Sequence, residues 1–136
     1  MYIPSSVIAV VESMVPFKGH SSMKQYMPMK PVKRGCKVWC LADSITGLVS
    51  QFVIYSGRSD KQGNSSFSYG ERVVLSLCDT YIHSHRLTAF DNFFTSYQLL
   101  KTLNERGLYA MGTVRGASKY SQEKRSDAVQ RIHVLD

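Results

Sequence analysis

The sequence predicts an α/β fold, a mixed five-stranded sheet with two main helices. Three observations carry that expectation. Residues 7–11, 37–42 and 48–55 are apolar, β-branched or aromatic runs with no helical period between them. Residues 71–82 and 97–106 repeat their apolar side chains at three and four, the period of a helix with one buried face. Each of these two stretches leads into a short apolar run, at 87–90 and 108–114, so helix and strand alternate in the second half.

Val7-Ile8-Ala9-Val10-Val11, the earliest element, is a continuous apolar run of the kind that forms a buried strand, and Glu12-Ser13-Met14 ends it. Pro16, Gly19, Pro28, Pro31 and Gly35 punctuate the next stretch. Proline cannot donate to a central ladder, so residues 17–35 are expected to be mostly irregular. Residues 37–42 alternate, with Val38, Cys40 and Ala42 on one side and Lys37, Trp39 and Leu41 on the other. Asp43 to Gly47 makes a turn into the third strand, 48–55, giving an antiparallel hairpin. Residues 56–69, rich in Ser and Gly, read as a flexible connection. The first helix, 71–82, carries Val73, Val74, Leu77, Cys78, Tyr81 and Ile82 on its apolar face. Leu87 to Phe90 is the fourth strand. Thr95 or Ser96 caps a second helix over 97–106, Gly107 terminates it, and 108–114 is the fifth strand. Beyond Arg115 the chain turns polar, with only a weak strand or helix at 132–135. The organisation expected is one domain over 1–115 and a divergent polar tail over 116–136.

Composition narrows the function classes. A hydrophobic fraction of 43% suits a packed core. No apolar run approaches the roughly 20 residues of a membrane span, and the N-terminus lacks the pattern of a signal peptide, so no membrane partner is expected. Cys36, Cys40 and Cys78 are too few and too scattered for a disulfide framework and read as small hydrophobes or free thiols. No Cys/His pairs stand at zinc spacing, and His83 and His85 read as solvated. The net charge of +7 is concentrated in an acid-free window after Glu12 that holds Lys18, Lys24, Lys30, Lys33, Arg34 and Lys37, interleaved with Phe17, Tyr26 and Trp39. Such a window attracts a polyanion, nucleic acid above all, or else is a solvated basic loop. Asp91 ends the fourth strand ahead of a loop and helix, where α/β folds place functional groups. Asp91-Asn92 is also good turn chemistry, and both readings stand.

Three strands in succession, then alternating helix and strand, is the order of a ribonuclease H-like core. In that fold the first and fourth strands lie side by side and bring their acids to one end. Carboxylates there hold two divalent ions about 4 Å apart for phosphoryl transfer. Two stretches make the comparison sharper. One runs Glu12-Ser13-Met14-Val15-Pro16-Phe17-Lys18-Gly19, through Lys24-Gln25-Tyr26-Met27-Pro28-Met29-Lys30-Pro31-Val32-Lys33-Arg34-Gly35, to Ala42-Asp43-Ser44 and Thr46-Gly47. The other is Asp91-Asn92-Phe93-Phe94-Thr95-Ser96, with Leu100 and Leu103, then Gly112-Thr113-Val114-Arg115. Over roughly residues 7 to 115 the sequence resembles the piggyBac transposase family of cut-and-paste DNA transposases and the host genes derived from them. The resemblance implies a partial ribonuclease H-like core, a divalent metal (Mg) in active members, action on transposon ends with TTAA target preference, and a nuclear location; without it the default is cytoplasmic.

Carried over residue by residue, the family's second catalytic acid falls on Asp91. The first falls on Val11, which cannot ligate a metal. Glu12 is adjacent but faces the other way on a regular strand, so only a bulge would let it substitute. The family's Arg after Phe-Lys-Gly is His20 here, which forfeits an always-charged phosphate contact. The family's later acids lie beyond this chain, and neither Asp127 nor Asp136 matches them. The resemblance therefore implies a catalytically inactive relative with no cofactor. Its basic window would give weak, electrostatic, non-specific DNA binding. The alternatives are a domesticated protein-interaction module, its partner unspecified, or a non-functional relic. One face of the sheet is expected to be open, with exposed apolar surface.

Overall fold

The computed structural model describes residues 2–57, 66–115 and 132–135. Its elements are β1 (Val7–Pro16), β2 (Lys24–Tyr26), β3 (Arg34–Asp43), β4 (Val49–Ile54), α1 (Tyr69–Cys78), a 3-10 turn (Asp79–Tyr81), β5 (Leu87–Phe90), α2 (Tyr97–Glu105), β6 (Tyr109–Arg115) and β7 (Ile132–Leu135). One mixed sheet runs β2-β3-β1-β5-β6-β7, with β4 also paired to β3. β1, β3 and β4 are antiparallel in succession, while β1, β5, β6 and β7 are mutually parallel neighbours. The first and fourth of the five expected strands (β1 and β5) therefore lie side by side, as a ribonuclease H-like core requires.

The sheet exceeds the expectation at three places. β1 continues to Pro16, paired residue for residue with β3 from Ile8↔Asp43 to Pro16↔Gly35. Polar Glu12 and Ser13 obscured this, but Ser13 is exposed on the open face and Glu12, on the other face, is paired with Lys30 and Lys37. The segment expected to be irregular contains β2, whose three residues add to the outer edge of β3. Prolines bracket β2 without interrupting it. Residues 132–135 form a strand, β7, against β6. Residues 116–131, with Asp127, and also Asp136, lie outside the described residues.

Strict alternation along β1 divides the sheet into two faces. Ile8 and Val10 join Trp39, Leu41, Phe90 and Ala110 in one core with Val73, Val74 and Leu77 of α1 and Leu99, Leu100 and Leu103 of α2. Burying each such large side chain stabilises the fold by about 1.5–3 kcal/mol. The other face carries exposed Val11, Val15, Phe52, Ile54 and Tyr109. Among the described residues this is the open apolar surface expected from the sequence. α1 starts two residues earlier than expected, and its apolar face ends sooner: the helix tightens into the 3-10 turn after Cys78, and Ile82 is exposed.

One buried carboxylate ties the two helices together. Ser68 caps α1 in a capping box with Glu71, whose Oε2 accepts from the Ser68 backbone N–H. Ser96 caps α2 by accepting from the Leu99 N–H and donates its own hydroxyl proton to Glu71. A single acid thus sits between two helix N-termini, where the dipoles favour negative charge. Gly107 takes φ +75° after α2, as its expected role as terminator requires. Gly35 faces Val15 so closely that a Cβ would stand 2.0 Å from the Val15 carbonyl oxygen.

Candidate functional site

The candidate site lies where β1 and β5 run in parallel. Val7 pairs with Leu87, Ile8 with Thr88 and Ala9 with Ala89. Ala9 and Ala89 are the last paired residues of the two strands, so Val11 and Asp91 each stand two residues beyond the end of that register. Val11 is on the open face, and Asp91 is exposed at the end of β5.

The loop after Asp91 is built locally and then pinned to β3. Asp91 Oδ1 accepts from the Phe93 N–H at 2.8 Å, and its backbone carbonyl accepts from the Thr95 hydroxyl at 2.8 Å and the Phe94 N–H at 3.2 Å. The turn expected of Asp91-Asn92 is therefore formed directly after β5. Phe93 stacks on Trp39 with ring centroids 5.4 Å apart, and Phe94 meets the same indole edge-on at 5.2 Å. Trp39 Nε1 donates to the Tyr69 hydroxyl, which holds the indole in place. The aromatic pair after Asp91 thus fixes the loop against the middle of the sheet.

Glu12 does not replace the missing acid. The β1–β3 register contains no bulge, so Glu12 lies opposite Trp39 on the face away from Val11. There its carboxylate meets Lys37 Nζ at 3.2 Å and Lys30 Nζ at 3.5 Å. Lys37 is further enclosed by rings, 4.4 Å from the Trp39 centroid, 5.7 Å from Phe93 and 5.8 Å from Tyr55. Its side chain is only 18% exposed, against 43% for Lys30. The acid-free window therefore has its counterion just upstream, and that acid engages two of the six cations. Sequence reading missed this pairing because 18 residues separate Glu12 from Lys30 and no local pattern marks it.

The other four cations are Lys18, Lys24, Lys33 and Arg34. None has a carboxylate partner among the described residues. Lys18 and Lys33 are exposed, and His20 is exposed too. Lys24 Nζ donates to the Gly19 carbonyl at 3.2 Å. Arg34 lies over the Tyr26 ring, 5.3 Å from its centroid, with the two residues directly opposed across β2 and β3. Parity along β3 puts Arg34, Cys36, Val38 and Cys40 on one face, so Lys24, Tyr26 and Arg34 share the open face with Val15 and Val11.

A divalent ion does not fit this donor set. Among the described residues Asp91 supplies one carboxylate, already half engaged in its turn, whereas hard cations take several oxygen ligands. Cys36, Cys40 and Cys78 are free thiols. Burial pushes the Cys78 thiol up to about 12, with a Thr88 hydrogen bond acting weakly against it, and also raises Cys40.

Comparison with known proteins agrees with this geometry. A family model described as "Transposase IS4" matches residues 1–131. The human PiggyBac transposable element-derived protein 3 is 35% identical over 107 residues, covering 76% of this chain and 18% of the relative. The human PiggyBac transposable element-derived protein 2 is 33% identical over 109 residues, with the same two shares. The chain thus spans about a fifth of the length of these relatives. Among solved structures, a piggyBac transposase synaptic complex with hairpin DNA superposes with a TM-score of 0.78 at 29% identity, over 93% of this chain and 27% of that one. With the parallel β1–β5 pair at its centre and the family match running through residue 131, the chain belongs to the piggyBac-type transposases.

Proposed function

We propose that the chain is a catalytically silent version of the piggyBac-type core which retains electrostatic, sequence-independent affinity for DNA and acts in the nucleus. The observation that supports the silent half is that Val11, two residues past the parallel β1–β5 register as Asp91 is, carries no acid, while Glu12 lies on the opposite face and is neutralised by two lysines. A single carboxylate at this position leaves the two-ion chemistry of active relatives without its ligands. The DNA half is supported by four cations that have no carboxylate partner among the described residues, around β2 and the start of β3, and by a solved neighbour that is itself a complex with hairpin DNA.

The test has two arms. Calorimetric titration of the purified chain with Mg²⁺ or Mn²⁺ should show no binding, and Val11→Asp should create a measurable site beside Asp91. Tight binding by the parent, or metal-dependent cleavage of a piggyBac-type end, would refute the silent reading. Duplex DNA should bind at low salt and be lost steeply as salt rises. An absence of binding at low salt removes the DNA half.

A second reading, a protein-interaction module, is favoured by the exposed Val11, Val15, Phe52 and Ile54. It predicts binding of an apolar dye to the folded chain and self-association in sedimentation. A monodisperse monomer that binds no dye counts against it.

A further inference from the structure

We infer that Tyr26 and Arg34 form a stacking platform for an unpaired nucleobase, so that the chain prefers DNA with single-stranded or extrahelical nucleotides over plain duplex. This rests on the DNA-binding reading above and names the form of DNA. Tyr26 and Arg34 are direct cross-strand partners, and the guanidinium lies 5.3 Å from the ring centroid. Tyr26 is 63% exposed, far more than a ring packed for stability, and its hydroxyl has no hydrogen-bond partner among the described residues. Arg34 is exposed, and its guanidinium lies against that ring. Both sides of the pair thus offer flat, delocalised surface to the solvent.

The surroundings suit a nucleotide strand. Lys24 stands two residues before Tyr26 on the same face of β2, within reach of a flanking phosphate. Lys33 immediately precedes Arg34 and is exposed. Met29, in the connection between β2 and β3, is 94% exposed. No acid lies between Glu12 and Asp43 to repel a backbone, and Glu12 is held by Lys30 and Lys37 on the opposite face. A paired base hides both π-faces in the stack, so duplex DNA offers this surface only phosphates. An unpaired base offers its face, and base–aromatic stacking with an arginine contribution is sequence-tolerant.

The experiment measures binding of the full chain by fluorescence anisotropy at one fixed salt concentration. Three probes of equal length are used: a thymidine single strand, a blunt duplex, and the same duplex with one unpaired nucleotide. The single strand and the bulged duplex should bind roughly fivefold to a hundredfold more tightly than the blunt duplex. Tyr26→Ala should abolish that preference, and Tyr26→Phe should preserve it. Equal affinity for the three probes, or a preference untouched by Tyr26→Ala, overturns the platform while leaving the DNA-binding reading intact. Failure of every probe to bind at low salt overturns both. Because Tyr26 is exposed on a two-stranded edge, its variants are expected to keep the parental circular dichroism spectrum.

Discussion

Replacing Glu12 by Gln removes the one carboxylate that, among the described residues, restrains the basic window, and the structure sets the size of the effect. With Glu12 in place, four cations (Lys18, Lys24, Lys33 and Arg34) have no carboxylate partner among the described residues. If all four meet phosphates, the logarithm of the DNA-binding constant should fall against the logarithm of salt with a slope of about −3.6. Glu12→Gln releases two more amines, but unequally. Lys30, 43% exposed, can swing to solvent and reach a phosphate, whereas Lys37, 18% exposed and ringed by Trp39, Phe93 and Tyr55, stays in place. The slope should therefore steepen by about 0.9, the contribution of one phosphate. Stability should move the other way. Lys37 loses its charge partner while half-enclosed and keeps only the ring faces, a loss of about 1–3 kcal/mol. Labelled duplex followed by anisotropy between about 50 and 200 mM salt gives the slope, and a thermal melt gives the stability. Adding Lys30→Gln should return the slope to the parental value. An unchanged slope in a folded Glu12→Gln protein would refute the assignment of Glu12 as the restraint. An unchanged melting temperature would show that the Lys37 pair contributes nothing.

Packing and protonation give three further outcomes. Gly35→Ala drives a Cβ into the Val15 carbonyl, 2.0 Å away, so the end of the β1–β3 ladder must part; urea denaturation should show a loss of about 1–3 kcal/mol or more. Asp43 accepts hydrogen bonds from the Tyr2 hydroxyl at 2.6 Å, the Ser5 N–H at 2.8 Å, the Ser5 hydroxyl at 2.7 Å and the Ile45 N–H at 2.8 Å. These hold its carboxyl far below the usual carboxylate range, the Tyr2 bond first among them, and the Tyr2 hydroxyl is raised in return. The folded value is the lower one, so the stabilisation is fully present above about pH 4 and declines as pH falls below it. Asp43→Asn should lower stability at neutral pH and flatten the acid limb of a pH series of melts; an unchanged acid limb would place the clamp elsewhere. Of the three cysteines, only Cys36 is partly accessible, while Cys40 and Cys78 are buried with raised thiol values. A thiol reagent should label one cysteine in the native protein and three after denaturation. Rapid labelling of Cys78 in native protein would contradict the packing of α1.

Periodicity settled the existence and type of the long elements. The apolar stripe of α2, the β-branched run of β1, and the alternation of Val38, Cys40 and Ala42 against Lys37, Trp39 and Leu41 are local signals, and each appears in place. The Ser96 cap and the Gly107 terminator were also legible, because capping depends on residues within one turn of the helix end. Asp91 and Val11 could be singled out from sequence because their segments carry a family pattern, and the alternation rule already turned Glu12 away from Val11.

What tertiary structure alone decided is everything set by partners distant in sequence. β2 is a strand only because the edge of β3 accepts it, and β1 reaches Pro16 only because β3 pairs with it throughout. Glu12 finds Lys30 and Lys37, Glu71 joins the starts of both helices, and Asp43 gathers Tyr2 and Ser5 through side-chain geometry that no window of neighbours encodes. The basic window illustrates the difference. Its six cations are equivalent as a sequence, yet the fold encloses Lys37, pairs Lys30, and leaves Arg34 stacked on an exposed ring. Charge is a property of composition, but its availability to a partner depends on burial and on distance to a counterion, which only the folded chain determines.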